Sequence, residues 1–592
     1  MYLAKKEKSR MPMLTYDLSV IPFSLPGSFL TIMSRPSGST SSHPHRLLYR
    51  TCSRRAITEK YMPFSASDFF EIALMRENVE IPYSWTAQPH RLDLQPEGEG
   101  SVIFAFTDPH TLVFETEGVM LRLIPCKSFA TEYAPGTREI CLVDWPARGI
   151  HHFRGGAHTE VVTTLVENPA GSLHEFKDRP RVVDFLGSRG AIRFEKHENL
   201  WHGKIPRLAE VLHDREKDYA RWEKHLPVVH EPYKAAAEQA WFLLWNCQVP
   251  AVGALTRPVM YMSKFWMNAI WAWDNCFNAL AVAEANPELA WNQLLLFFDH
   301  QDPNGMIPDM IHDQDAIYCF NKPPIYGWTI RKLVAKIGIK ASRPYLEQLY
   351  KPVNRLTEWW YTMRDFDGDG MCQYHHGNDS GWDNATLFDQ GYPTEGADLA
   401  AHLILQSAGL SFMARAIGKK VASLRWKKRA EHQLADLLAQ GVKNDRFFSP
   451  LDGKVDAPET QSLLNYIPIV LGRRLPMKIR KTLVTDLGPG GPFLTEWGLA
   501  TESPSSPKYE PDGYWRGPIW APSTYLIFDG LVAAGERNLA TLIARRFCNL
   551  CAQDSGFWEN YDALTGKGLR CPGYSWTASV FLLLAAWLEE NQ

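Results

Sequence analysis

Two loop segments that place a carboxyl directly after a tryptophan lie far apart in the chain. Asp383 follows Trp382 in Asp-Ser-Gly-Trp-Asp-Asn, residues 379–384, and Glu559 follows Trp558 in Gly-Phe-Trp-Glu-Asn-Tyr-Asp, residues 556–562. A carboxyl packed on an indole is disfavoured in its charged form, so two carboxyls in unequal surroundings can divide a proton-transfer task between them. Cleavage of an acetal such as a glycoside demands this division, with an acid at the leaving oxygen and a base at the attacking water. Asp383 beside Trp382 is the candidate acid and Glu559 its candidate partner. Either residue alone reads equally as a helix cap or turn carboxylate, and the two, about 176 positions apart, must meet in space for the scheme to work.

Further acidic and aromatic segments surround these two. They are Phe-Trp-Met-Asn-Ala-Ile-Trp-Ala-Trp-Asp-Asn (265–275), Asn-Gly-Met-Ile-Pro-Asp (304–309) with Asn-Lys-Pro-Pro-Ile-Tyr-Gly-Trp (321–328), Tyr-Trp-Arg-Gly-Pro-Ile-Trp-Ala-Pro (514–522) and Ser-Trp-Thr (575–577). The 21 Trp crowd into the part after Trp241, where flat rings suit sugar faces and core filling alike. Asp365, Asp367 and Asp369 open like a calcium loop with Gly370 sixth, but His376 stands twelfth, where a bidentate Glu is wanted. A solvated turn is the expectation there. His375 lacks a partner at metal-ligand spacing, His151 and His152 read as strand or loop, and Cys548 and Cys551 sit in an apolar helical run as structural thiols. No metal and no cofactor is expected.

Taken together and in order, these segments resemble glycoside hydrolase family 63 and, more distantly, the family 37 trehalases, over roughly residues 232–592. The resemblance implies an exo-acting, inverting, α-glucosidase-like hydrolase. Asp383 is then the general acid, in a segment similar to Glu-Ser-Gly-Trp/Met-Asp, and Glu559 the general base. Asp274 grips sugar hydroxyls, and Arg516 and Trp520 belong to the substrate-pocket strip. Trp273, Asp309, Lys322, Trp382, Trp558 and Trp576 complete the expected substrate-binding set. Relatives usually carry Ser-Gln-Pro-Pro where this chain has Asn321-Lys322-Pro323-Pro324. A cation there either pairs with an acidic group on the substrate or, the favoured reading, neutralises Asp309 or Asp313. Two other classes compete: an inverting glycoside phosphorylase, which lets phosphate replace the activated water and is disfavoured by Glu559, and a non-catalytic sugar-binding protein.

The elements that must position these residues change character along the 592 residues. Ser101–Phe106, Thr111–Glu115 and Val119–Ile124 are short β-branched and aromatic runs divided by turn residues, and Val182–Leu186 with Ala191–Glu195 suggests a hairpin around Gly187–Gly190. These predict an N-terminal antiparallel β-sandwich over 1–205, with a mobile Ser, Pro and His-rich loop at 34–45. Apolar residues at helical spacing give a linker helix within 206–231. About a dozen further helices over 232–592 fit six helical hairpins closed in a ring, an (α/α)6 toroid; an irregular α-solenoid is the alternative. A net charge of −3, with Lys and Arg spread along the chain, excludes an obvious nucleic-acid face. The absence of a signal peptide and of any apolar run of about 18 residues points to a cytoplasmic protein acting on a small oligosaccharide or glycoside, with no membrane contact.

Overall fold

The structure, a computed structural model, describes residues 14–35, 45–53, 68–125, 141–145, 150–154, 161–166, 183–185, 187–195, 205–451 and 460–591. The loop expected at 34–45 lies almost wholly outside these residues. The chain divides into two compact units, Met1–Lys224 and His225–Gln592.

The first unit is built on two antiparallel sheets. One runs Leu30–Met33, Leu48–Thr51, Asp68–Arg76, Met120–Pro125 and Val183–Phe185, with Val79–Ile81 paired beside Asp68–Arg76. The other has eight strands in the order Cys141–Trp145, Ile150–Arg154, Val161–Val166, Arg189–Glu195, Thr111–Glu117, Ser101–Asp108, Arg91–Pro96 and Tyr83–Gln88. Strand alternation sends Val102, Phe104 and Phe106 into the core. On the opposite face, Ala105, Val113 and Ala191 receive Leu208 and Val211 of helix α1, Leu208–Glu223. The helix expected as a linker therefore packs on the sheet of its own unit.

The expected hairpin around Gly187–Gly190 does not form. Val183–Phe185 pairs with Leu121–Leu123 in one sheet, whereas Arg189–Glu195 pairs with Thr111–Glu115 in the other. Asp184 takes both nitrogens of Arg122 at 2.6 and 2.7 Å, and Phe185 meets Phe114 of the other sheet edge to face at 4.8 Å. These contacts anchor the strand to its own sheet, and the Gly-Ser-Arg-Gly stretch passes between sheets.

The second unit is helical: α2 (Lys234–Asn246), α3 (Asp274–Val282), α4 (Pro287–Asp299), α5 (Tyr326–Ile337), α6 (Ile339–Met363), α7 (Ala397–Ala416), α8 (Lys420–Gln440), a 3-10 segment (Leu463–Arg474), α9 (Met477–Leu487), α10 (Ala521–Ala534), α11 (Arg537–Ala552) and α12 (Ser575–Glu590). Alternate elements follow one another in contact: α3 packs on α5, α5 on α7, α7 on Leu463–Arg474, that segment on α10, α10 on α12, and α12 back on α3. The elements between them lie against this series, α4 on α3, α6 and α8 on α7, α11 on α10 and α12, and α2 on α12. Composition explains who is inside. α7 and α12 are buried round most of their circumference, whereas α8 buries only Trp426, Gln433 and Leu437.

α3 starts only at Asp274, because Ile270–Trp271 pairs with Met310–Ile311. The segment after Ser462 is 3-10 rather than α, since Pro468 lacks a donor inside it and Gly472 is non-helical. Among the described residues no helix is long and apolar enough to cross a membrane.

Candidate active site

The candidate residues gather around the N-terminal ends of α3, α5, α7, α10 and α12, either on the first helical turn or in the segment leading into it. Asp274 is the first residue of α3. The pairing of Ile270–Trp271 with Met310–Ile311, and Ala272 N–H donating to the Asp309 carbonyl at 2.9 Å, fix Asp309 beside it. Lys322, just ahead of α5, completes the group. Its Nζ lies 3.3 Å from Asp309 Oδ1 and 3.7 Å from Asp383 Oδ1, and it donates to the Asn378 carbonyl at 2.7 Å.

The turn that carries Asp383 is shaped by its sequence. Asp379 is buried and accepts from Asn321 N–H at 3.0 Å and from His375 N–H at 3.1 Å. Ser380 Oγ donates to the Gly377 carbonyl and accepts from Trp382 N–H. Gly381 has φ +72°, and a Cβ there would stand 2.6 Å from the Trp273 ring, so only glycine fits. Asn384 then ties the turn to a segment about 130 residues away: its Nδ2 donates to the Gly513 carbonyl at 3.0 Å, its Oδ1 accepts from Trp515 N–H at 3.0 Å, and its carbonyl accepts from Arg516 Nε at 2.9 Å.

Glu559 reaches the same space from the other side of the chain. Phe557–Tyr561 is held by main-chain bonds to Ile519, Cys571 and Tyr574, and Thr577 Oγ1 of α12 donates to the Trp558 carbonyl. Tyr514, in the left-handed region at φ 64°, hydrogen-bonds Glu559. Its hydroxyl feels the charges of Glu559, Asp383 and Asp274, in that order, after burial itself. Asp383 and Glu559 therefore share one electrostatic environment.

That environment is unequal, though not in the way the tryptophan neighbours suggested. Trp382 is buried against Trp515 at 4.7 Å, while the Asp383 side chain is 28% exposed beside Lys322. Glu559 is the buried member. Desolvation pushes its carboxyl up to about 7, against the opposing pull of Arg570, the Cys571 main chain and Tyr514, and Asp383 adds to the rise. Asp274 is pushed well above the carboxylate range, by burial first, with Lys322 opposing and Asp309 and Asp383 adding. Asp309 is raised too, by burial, against Lys322. Burial would discharge Lys322, but Asp383, Asp309 and Asp274 outweigh it and raise its pKa.

Several expected sugar-binding residues are differently employed. Lys322 has its ammonium directed to Asp309, Asp383 and Asn378, so it serves the carboxyl cluster rather than standing free for a substrate acid; Asp313 instead accepts from Tyr261. Trp273, Trp382, Trp520 and Trp576 are buried; the first three pack with Trp515, which stacks on Trp520 at 4.0 Å, and Trp576 packs edge-on against Trp273 and Trp520. Each of these rings is at most 3% exposed and is packed against the others. Trp558 is half-buried with Nε1 bound to Asp554, and Arg516 spans the Asn384 carbonyl and Asp389. Asp379, Asn384, Tyr514 and Arg570 were not singled out from sequence. Asp379 and Asn384 flank the motif that was, and Tyr514 opens the Trp-Arg-Gly-Pro strip.

Asp365, Asp367 and Asp369 bring carboxylate oxygens within 4.8 Å of one another. Main-chain N–H groups of Gly370, Gly368 and Asp369 bond Asp365, and His376 stacks on Phe320 at 4.7 Å, so the loop closes as a turn without a twelfth-position ligand.

Comparison with known proteins agrees with this geometry. Residues 267–577 match the model of the mannosylglycerate hydrolase MGH1-like glycoside hydrolase domain. The mannosylglycerate hydrolase of Thermus thermophilus is 24% identical over 409 residues, covering 56% of this chain and 96% of that protein. The glucosylglycerate hydrolase of Mycolicibacterium hassiacum is 22% identical over 448 residues, 59% of this chain and 97% of that protein. Among solved structures, the family 63 mannosylglycerate hydrolase of Thermus thermophilus in complex with glucose superposes with a TM-score of 0.52 at 21% identity, over 59% of this chain and 98% of its own. A bacterial glucoamylase complexed with acarbose superposes with a TM-score of 0.59 at 11% identity, over 98% of this chain and 96% of its own. By this match, and in keeping with the motifs from which the resemblance was drawn, the chain belongs to the MGH1-like mannosylglycerate hydrolase family of glycoside hydrolases.

Proposed function

We propose that this glycoside hydrolase acts on an α-linked hexoside with a small acidic aglycone of the glycerate type, and that it inverts the anomeric centre. The observation that carries the reading is the convergence of a partly exposed carboxyl, Asp383, and a buried one, Glu559, on the hydroxyl of Tyr514. The unbroken series of contacts from α3 round to α12 and back supports an (α/α)6 toroid whose helix N-termini surround the site.

Asp383 is the general acid. It belongs to a group of three carboxyls around one ammonium, in which burial keeps Asp274 and Asp309 inclined to hold a proton. Asp383 is the partly exposed member of the group, the one with access to a leaving oxygen. Glu559 is the general base and acts once ionised, with Arg570 and Tyr514 favouring that form. Lys322 positions Asp383 and Asp309, and Arg516 braces the Asp383 turn. The names of two relatives that align over nearly their full lengths support the hexosyl glycerate class.

The test is turnover on a panel of α-hexosides that includes mannosylglycerate and glucosylglycerate, with and without inorganic phosphate. Hydrolysis of a hexosyl glycerate without phosphate is expected. Sugar phosphate formed only when phosphate is present would replace this reading with a phosphorylase, and binding without turnover would reduce the chain to a sugar-binding protein.

A further inference from the structure

A cavity of about 820 Å³ opens along α5, from Trp328 to Ala335, the middle and C-terminal part of α7, the end of α10 and the end of Leu463–Arg474, and none of Asp274, Asp309, Lys322, Asp383 and Glu559 lines it. The carboxyl site lies at the helix N-termini, and α5 alone spans about 18 Å at 1.5 Å per residue. The cavity is thus separate from the glycosidase site. Its lining holds five cations, Arg331, Lys332, Arg415, Arg473 and Arg474, against a single carboxylate, Asp529. That carboxylate is already engaged by Lys332 and by Trp328 Nε1 at 2.8 Å.

Among the described residues, none of the four arginines has a carboxylate partner or a side-chain hydrogen bond. Helix-end dipoles favour some of these charges: Arg415 stands in the last turn of α7, Arg473 and Arg474 in the last turn of the 3-10 segment. Arg331 lies in mid-helix, where no such field operates. It faces Arg474, a solvent-accessible residue whose pKa is lowered by partial desolvation first and then by the Arg331 charge. Like charges brought together by two rigid elements, with no anion between them, describe an anion site. The remaining wall is apolar, with Leu405, Phe412, Val470 and Leu471, and the volume is that of a small-molecule pocket. The even spread of Lys and Arg in the sequence conceals the cluster, because three separate elements contribute to it.

We propose that this cavity binds a small organic phosphate, its oxyanion held by Arg331 and Arg474 and its organic part laid on the apolar wall. Calorimetric titration of the full chain with ATP and with pyrophosphate, in moderate salt, tests this. Saturable one-to-one binding is expected, tighter for ATP than for pyrophosphate, and weakened at least tenfold in Arg331→Gln/Arg474→Gln. Arg343→Gln, which alters an exposed cation on α6, should bind as the parent does. Both arginines of the pair are exposed, and circular dichroism melts verify that the double variant folds. If it does not, Arg331→Lys and Arg474→Lys, tested singly, should retain binding within a few-fold. Absence of saturable binding at millimolar ATP, equal binding by parent and double variant, or binding of pyrophosphate without ATP would each overturn the proposal.

Discussion

A carboxyl that must ionise in order to work, yet is buried at its post, sets its own pH dependence. Glu559 holds its proton up to about 7, so the acidic limb of the kcat/KM profile should fall near pH 7, and Arg570→Gln, which removes the main charge opposing that rise, should move the limb upward. The same burial affects stability. The native state keeps the proton between the ordinary carboxyl value and about 7, so the contribution of this residue to stability is present at low pH and is lost as pH rises through 7. The shift corresponds to roughly 3 kcal/mol. Glu559→Gln should therefore lose on the order of 10³-fold in kcat while melting above the parent at pH 9 and close to it at pH 4. A variant that melts lower at both pH values would show that Glu559 is structural. Lys322→Met, by contrast, strands Asp309 and Asp274 without their cation, and stability should drop by about 3–5 kcal/mol at neutral pH, read from denaturant unfolding; no drop would mean that the ammonium does not serve the cluster.

Elements matter here because no one of them owns the site. The Asp383 turn is held to the Gly513–Arg516 segment by Asn384, and both depend on Gly381 lying flat on Trp273. Asn384→Ala should leave the helices intact but loosen Asp383 relative to Glu559, with kcat falling about 10²-fold, the loss expected of roughly 1 Å of misplacement. Gly381→Ala should destabilise as well, since a side chain at positive φ would also strike the Trp273 ring. Much of this was legible in sequence. The Ser-Gly-Trp-Asp and Trp-Glu-Asn-Tyr segments mark the two carboxyls, Asp383 and Glu559, that the fold brings into one electrostatic environment, and helical spacing locates most of the second unit. What the sequence did not show is how the tryptophans pack: facing helix ends turn Trp273, Trp382, Trp520 and Trp576 onto one another and onto Trp515. The apparent hairpin at Gly187–Gly190 failed because Arg122 and Phe114, remote in sequence, decide which sheet each strand joins.

At the scale of the whole molecule, polar side chains buried in the helical unit make acid tolerance a global property. His402 on α7 is fully buried with its pKa lowered to about 3 by desolvation. The unfolded chain takes up the proton first, so this residue withdraws stability as pH falls from about 6.5 toward 3. His402→Leu should therefore raise the melting temperature progressively below pH 6, relative to the parent, with little pH dependence of the difference above 7; a constant offset would show that packing alone changed. The fold's more important consequence is that Asp383 and Glu559, about 176 residues apart, are brought within electrostatic reach of each other and of Tyr514. Proton NMR during the first moments of hydrolysis of an α-hexosyl glycerate, before mutarotation, tests that arrangement most directly. The account predicts that the β-anomer of the sugar appears first. Initial release of the α-anomer would mean a covalent glycosyl enzyme and would contradict the assignment of Asp383 as acid and Glu559 as base.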